Sequence, residues 1–231
     1  MNLVCWKLLN WLAAKKDSLK TFVLNITDKA SVEKLLSDAL GAFGFVDGII
    51  NNAGIIQPFI NINELGYEAI ERVMNINFYG TLYITKTFLP HLLTRPEAHI
   101  VNVSSMGGFL PVPGQTIYGA SKAAVKLLTE GLHSELLDTN VRVTVVFPGA
   151  VNTNITRNSG LNNKSESSTE NHSAKILSPV KAAQIIIDGI EQNQNRVFVG
   201  KDSKFMDLIY RLKPTFAAKF IQNKMKERLK I

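Results

Sequence analysis

Short apolar runs alternate with longer stretches of helical spacing along this chain, the pattern of a parallel sheet flanked by helices. Leu3 to Trp6 reads as a strand and Leu8 to Lys16 as a helix. Thr21 to Asn25 reads as the next strand. Thr27 and Asp28 then supply a cap for a helix from Ala30 to Phe43, whose Val32, Leu35, Leu36 and Ala39 recur at helical spacing. Val46 to Asn51 is a buried strand that ends in Asn51-Asn52-Ala53-Gly54. A long helix with one apolar stripe follows from Glu68 to Leu93 and is expected to break near Pro90. Strands at His99 to Val103 and Arg142 to Phe147 bracket a helix from Tyr118 to Leu137, and Pro148-Gly149 stops the second strand. A helix from Val180 to Gln192 and a strand from Arg196 to Val199 complete the series, with no internal repeat.

At 231 residues the chain suits a single α/β domain. Hydrophobic residues at 45% and charged residues at 19% favour a globular protein over disorder or a membrane bundle. Cys5 stands alone, which excludes an intramolecular disulfide and suits a reducing, cytoplasmic setting. His91, His99, His133 and His172 offer no metal-ligand spacing. Apolar residues in Met1 to Ala14 are interrupted by Lys7 and Asn10, too short a run for the about 20 residues a bilayer needs.

The formal charge of +7 is concentrated in the last part of the chain, from Lys201 to Lys230, among Phe205, Leu208, Ile209, Phe216, Phe220 and Ile221. Residues 1–200 therefore read as the core and 201–231 as a basic amphipathic segment. That segment is either a solvated helix face packed on the domain or a peripheral membrane contact. Nucleic-acid binding has no motif behind it.

Candidate chemistry falls where open parallel sheets bind ligands, beyond the carboxyl ends of strands. Asn52 to Gly54, Ser104 to Gly108 and Pro148 to Thr153 each follow a strand. Tyr118 and Lys122 stand one helical turn apart, so the ammonium would lie near the phenol and favour phenolate. A hydroxyl from Ser105 could hold a carbonyl or alcohol oxygen. Asn152 to Ser178, rich in Asn, Ser and Thr, reads as either a mobile lid or plain disorder. Together with Met106, Phe109, Leu110 and Val112 it would wall an apolar substrate pocket.

Asn51-Asn52-Ala53-Gly54, Asn77-Phe-Tyr-Gly80, Val103-Ser-Ser105, Tyr118-x-x-x-Lys122 and Pro148-Gly-x-Val-x-Thr153 occur in one order and at familiar spacing. With them, residues 2 to 200 closely resemble the classical short-chain dehydrogenase/reductase family. The resemblance implies a Rossmann-like doubly wound parallel sheet and hydride transfer between a nicotinamide cofactor and an alcohol or a ketone or aldehyde. It places the catalytic tetrad on Asn77, Ser105, Tyr118 and Lys122. Tyr118 would be the general acid or base, Lys122 would lower its pKa and hold the cofactor ribose, Ser105 would polarise the carbonyl oxygen, and Asn77 would kink its helix around a relay water. Asn25, Asn52, Ala53 and Gly54 would line the adenosine side, and Pro148, Gly149, Val151 and Thr153 the nicotinamide end. Ser105 and Met106 would meet a small hydrophobic substrate, and a homo-oligomer is implied.

The sequence departs from the family pattern at three points. Asn25 stands where the family has an adenine-contacting Asp. Leu3 to Trp6 aligns with the family's second strand, which puts Lys7 near the cofactor-selecting position and tilts the expectation from NAD(H) slightly toward NADP(H). No glycine precedes Gly41, so the first strand and its glycine-rich phosphate turn are without a counterpart. The expectation is an N-terminally truncated member, with a gap in the middle of the sheet. It would be either an oxidoreductase or a catalytically inactive relative serving as a binding or scaffold protein.

Overall fold

The computed structural model describes residues 19–161 and 176–229. The strand expected at Leu3 to Trp6, the helix at Leu8 to Lys16, Lys7 and the middle of the 152–178 segment lie outside these residues.

Valine and isoleucine dominate the central strands because both of their faces are buried, as parallel sheets require. One four-stranded parallel sheet runs in the order β1 (Gly48–Asn51), β2 (Ala98–Val103), β3 (Val141–Pro148) and β4 (Arg196–Val199). The register sets Asn51 opposite Asn102, Val103 opposite Val146, and Phe147 opposite Phe198, so the strands end at similar heights. Alternation along β2 sends Ala98 and Ile100 to one face and Val101 and Val103 to the other. Phe88 and Leu92 from α3 (Thr81–Leu92) and Leu132 from α4 (Thr116–Glu135) cover the first face. The second is covered by Ala182, Ile185 and Ile186 of α6 (Pro179–Glu191).

Asp28 caps α1 (Lys29–Phe43) as expected, its carboxylate accepting the amides of Ala30 and Ser31. The strand expected at Thr21 to Asn25 is absent. No neighbouring strand pairs with it among the described residues, Val23 is fully exposed, and Asn25 instead turns the chain by accepting the Thr27 amide and hydroxyl.

The expected break at Pro90 is also corrected. Pro90 sits inside the last turns of α3, and the irregularity lies earlier, in a π-helical stretch, Asn75–Gly80, that joins α2 (Tyr67–Met74) to α3. A hydroxyl from Thr81 donates to the Asn77 carbonyl there, satisfying a group the wider turn loosens. A short helix, α5 (Ile155–Asn158), follows β3. The C-terminal segment is a pair of helices, α7 (Lys201–Leu212) and α8 (Pro214–Leu229), seated on Leu110 through Met206 and Ala217. Among the described residues no helix is long and apolar enough to cross a membrane.

Candidate active site at the strand carboxyl ends

Two adjacent serines leave β2 with different tasks. Ser104 is buried and its hydroxyl donates to the Lys122 carbonyl at 2.7 Å, which ties the strand end to α4. Ser105 stays partly open, accepts the Gly107 amide at 3.0 Å and starts a 3₁₀ turn, Met106–Gly108. That turn lies directly on the helix: a Cβ at Gly108 would come within 2.9 Å of the Lys122 carbonyl and 2.7 Å of the Ser104 hydroxyl. Gly107 in turn packs beside the Tyr118 ring. Thus the Ser105 and Tyr118 side chains come together beside the Lys122 backbone because one glycine-lined turn lets β2 and α4 approach.

Asn77 is completely buried and uses its whole amide. Its Oδ1 accepts the Ile55 amide at 2.8 Å, while Nδ2 donates to the Ile55 carbonyl and the Ser121 hydroxyl, both at 2.9 Å. The π-helical stretch therefore presents a side chain that fastens the loop after β1 to the helix carrying Tyr118. Lys122 is buried against the same loop and donates to the Val103 carbonyl at 2.9 Å. A Cβ at Gly54 would lie 3.2 Å from the Lys122 Nζ and 3.4 Å from the Asn77 Oδ1, so the missing side chain lets the loop backbone pack closely against the ammonium.

Burial sets the protonation of this pair. It pushes the Tyr118 hydroxyl above its ordinary pKa, with hydrogen bonding to Ser105 acting in the opposite direction. It also pulls Lys122 down to about 8. The Tyr118 shift has burial and the Ser105 hydroxyl as its causes, and Lys122 is not among them.

Other expected site residues are more dispersed. Asn52, Ala53 and Thr153 are exposed at the strand ends, and Gly54, Pro148, Gly149 and Val151 are partly buried there. Asn25 is exposed in the turn before α1. Both ends of the 152–178 segment are pinned. Val151 bridges Leu177, with Asn152 donating to the Leu177 carbonyl, and the Ser159 hydroxyl accepts the Ile56 amide. Met106, Phe109 and Leu110 pack against α7 and α8, where Met206, Ile209 and Ala217 offer them an apolar surface. A cavity of about 590 Å³ lies beside them, between residues 107–113 and Tyr210, Thr215 and Lys219.

Two positioning side chains escape motif reading. Gln57, fully buried, accepts the amides of Ile117 at 2.8 Å and Tyr118 at 3.1 Å and donates to the Gly114 carbonyl at 3.1 Å. It caps α4 from far along the chain, where Gln115 at the cap position makes no side-chain cap bond of its own. Asp202, in the first turn of α7, accepts the Ala150 amide at 2.9 Å, in space that a Cβ on Gly149 would occupy. No local signal marks Gln57; an acidic residue in a first helical turn was the sole hint for Asp202.

Comparison with known proteins agrees with this architecture. The short chain dehydrogenase family model matches residues 5–164. A Mycobacterium tuberculosis (strain ATCC 25618 / H37Rv) protein named as an oxidoreductase, SadH, is 34% identical over 200 residues, 84% of this chain and 72% of that protein. A short chain dehydrogenase/reductase from Burkholderia phymatum, solved in complex with NAD, superposes with a TM-score of 0.76 at 24% identity, over 90% of this chain and 82% of that one. A short chain dehydrogenase from Burkholderia cenocepacia J2315, in complex with NADP, gives 0.71 at 25% identity, over 86% and 76%. The chain belongs to the short-chain dehydrogenase family, a family of oxidoreductase enzymes built on this Rossmann-like sheet.

Proposed function

We propose that this chain interconverts an alcohol and a ketone or aldehyde with a nicotinamide dinucleotide, using Tyr118 as the general acid or base. The observation that carries the reading is the approach of Ser105 and Tyr118 around Gly107, with Lys122 held on the Val103 carbonyl at the end of β2 and Asn77 clamping the facing loop.

The residues present fit one end of such a cofactor. Lys122 spends one of its three N–H donors on Val103, and the others would suit a ribose hydroxyl pair. Pro148, Gly149, Val151 and Thr153 would border the nicotinamide end, and Asn25, Asn52 and Ala53 the adenosine side. No glycine-rich turn is present among the described residues to hold a pyrophosphate, so no residue is assigned to it. When bound, the cofactor would supply or take the hydride at the substrate carbon.

The side chains handle the proton. In reduction the carbonyl oxygen would sit between the Ser105 and Tyr118 hydroxyls, and Tyr118 would release its proton to that oxygen as the C=O bond becomes C–O–H. In oxidation the same proton returns to Tyr118. Lys122, with a pKa near 8, would reprotonate the tyrosine. The substrate would be a small hydrophobic alcohol or carbonyl compound.

Calorimetric titration with NADPH and NADH, followed by turnover of 2-octanone and decanal, tests the reading. Binding of either cofactor with turnover supports it, and Lys7 would favour NADPH. No binding by the folded protein would point instead to an inactive binding or scaffold member. Pairing into a homo-oligomer and a cytoplasmic location belong to the same proposal.

A further inference from the structure

Residues 201–231 hold nine basic residues against three acidic ones, so this segment carries +6 of the chain's formal +7. Both acids within α7 are engaged with the domain. Asp202 accepts the Ala150 amide, and Asp207 pairs with Arg196 at 3.1 Å and with Arg211 at 3.0 Å.

Helix α7 buries Ser203, Met206 and Asp207 and, on its opposite side, exposes Phe205, Leu208 and Leu212 at 58%, 57% and 72%. Spacings of three and four residues align these three in one stripe. Lys201 lies on that stripe, and Lys204 and Arg211 flank it. Past the corner at Pro214, Phe216 and Phe220 are also exposed and stack on each other, with Lys224 over the Phe220 ring at 5.4 Å.

We propose that α7 and the start of α8 dock the protein onto the surface of an anionic lipid bilayer. Rings and leucines would enter the acyl boundary while the lysines meet headgroup charge. A second copy would set one +6 segment against another. A nucleic acid would leave the leucines and phenylalanines exposed to water. Charge and apolar stripe together select the bilayer.

The test is co-sedimentation of the full chain with vesicles of phosphatidylcholine alone and of phosphatidylcholine with phosphatidylglycerol, at low and high salt. Partition onto the anionic vesicles is expected to be at least about tenfold stronger and to fall steeply at roughly 0.5 M salt. Lys201→Ser with Lys204→Ser should weaken it about 25-fold, at about fivefold per lysine. Leu208→Gln with Leu212→Gln should weaken it about tenfold with an unchanged circular-dichroism melt. Equal partition onto both vesicle types overturns the proposal. So does absence of partition combined with a fall in sedimentation mass on changing Leu208 and Leu212, which would mark the stripe as an interface between copies. Neither readout involves turnover, so the result stands apart from the catalytic reading.

Discussion

The side-chain oxygen of Gln57 accepts the backbone amide of Tyr118 at 3.1 Å, joining the loop after β1 to the first turn of the helix that carries the candidate acid. Gln57 also accepts the Ile117 amide and donates to Gly114, so one buried side chain satisfies three backbone groups. Gln57→Ala leaves the Ile117 and Tyr118 amides without their acceptor, while Gly114 keeps its bond from Gln115, and should cost about 2 kcal/mol, read by urea unfolding. Gln57→Glu keeps both acceptor bonds at a helix N-terminus and should recover more than half of that loss.

Glycines in this chain separate into close approaches and plain helix positions. Gly108→Ala forces the 3₁₀ turn off α4 and should destabilise by about 2 kcal/mol or more. Gly41→Ala, inside α1 with nothing near its Cβ, should stabilise by up to about 1 kcal/mol. Thermal melts of the two variants should shift in opposite directions.

Lys122 gives the stability a pH dependence of definite sign. Its pKa is near 8 in the folded protein and 10.5 as the ordinary value, so between these pH values the unfolded chain binds more protons. Stability then rises with pH, by about 2 kcal/mol between roughly pH 7.5 and 9.5 from this group alone. Tyr118 acts oppositely, since its raised pKa lowers stability as pH climbs past the ordinary tyrosine value of 10.0. Unfolding free energies of the wild type and Lys122→Met, measured across that range, should show the wild type gaining on the variant.

Asp202 links the C-terminal helices to the loop proposed for the nicotinamide end. Loss of its charged bond to the Ala150 amide in Asp202→Ala should raise the KM for the cofactor about tenfold while kcat changes little. Asp202→Asn, which keeps an acceptor oxygen, should restore most of it.

Legibility in the sequence followed the range of the forces involved. The runs Ile100 to Val103 and Val143 to Phe147 announced strands because both faces are buried, and Asp28 announced its helix because capping is local. Tyr118 and Lys122 could be paired because a helix fixes their spacing. Thr21 to Asn25 had strand composition, but a strand exists only with a partner, and none pairs with it among the described residues. Gln57 was hidden because its partners lie 57 to 61 residues away. Phe109 and Leu110 were legible as apolar, yet nothing local told which neighbour they would meet.

The central claim is that Tyr118 transfers the proton in a nicotinamide-dependent reaction. Its most direct test is NADPH or NADH oxidation by a carbonyl substrate, measured with cofactor affinity, for the wild type and Tyr118→Phe. The account predicts turnover in the wild type, a loss of about 10²-fold to 10⁴-fold in the variant, and cofactor affinity changed by no more than a few-fold. Undiminished turnover in Tyr118→Phe would contradict it.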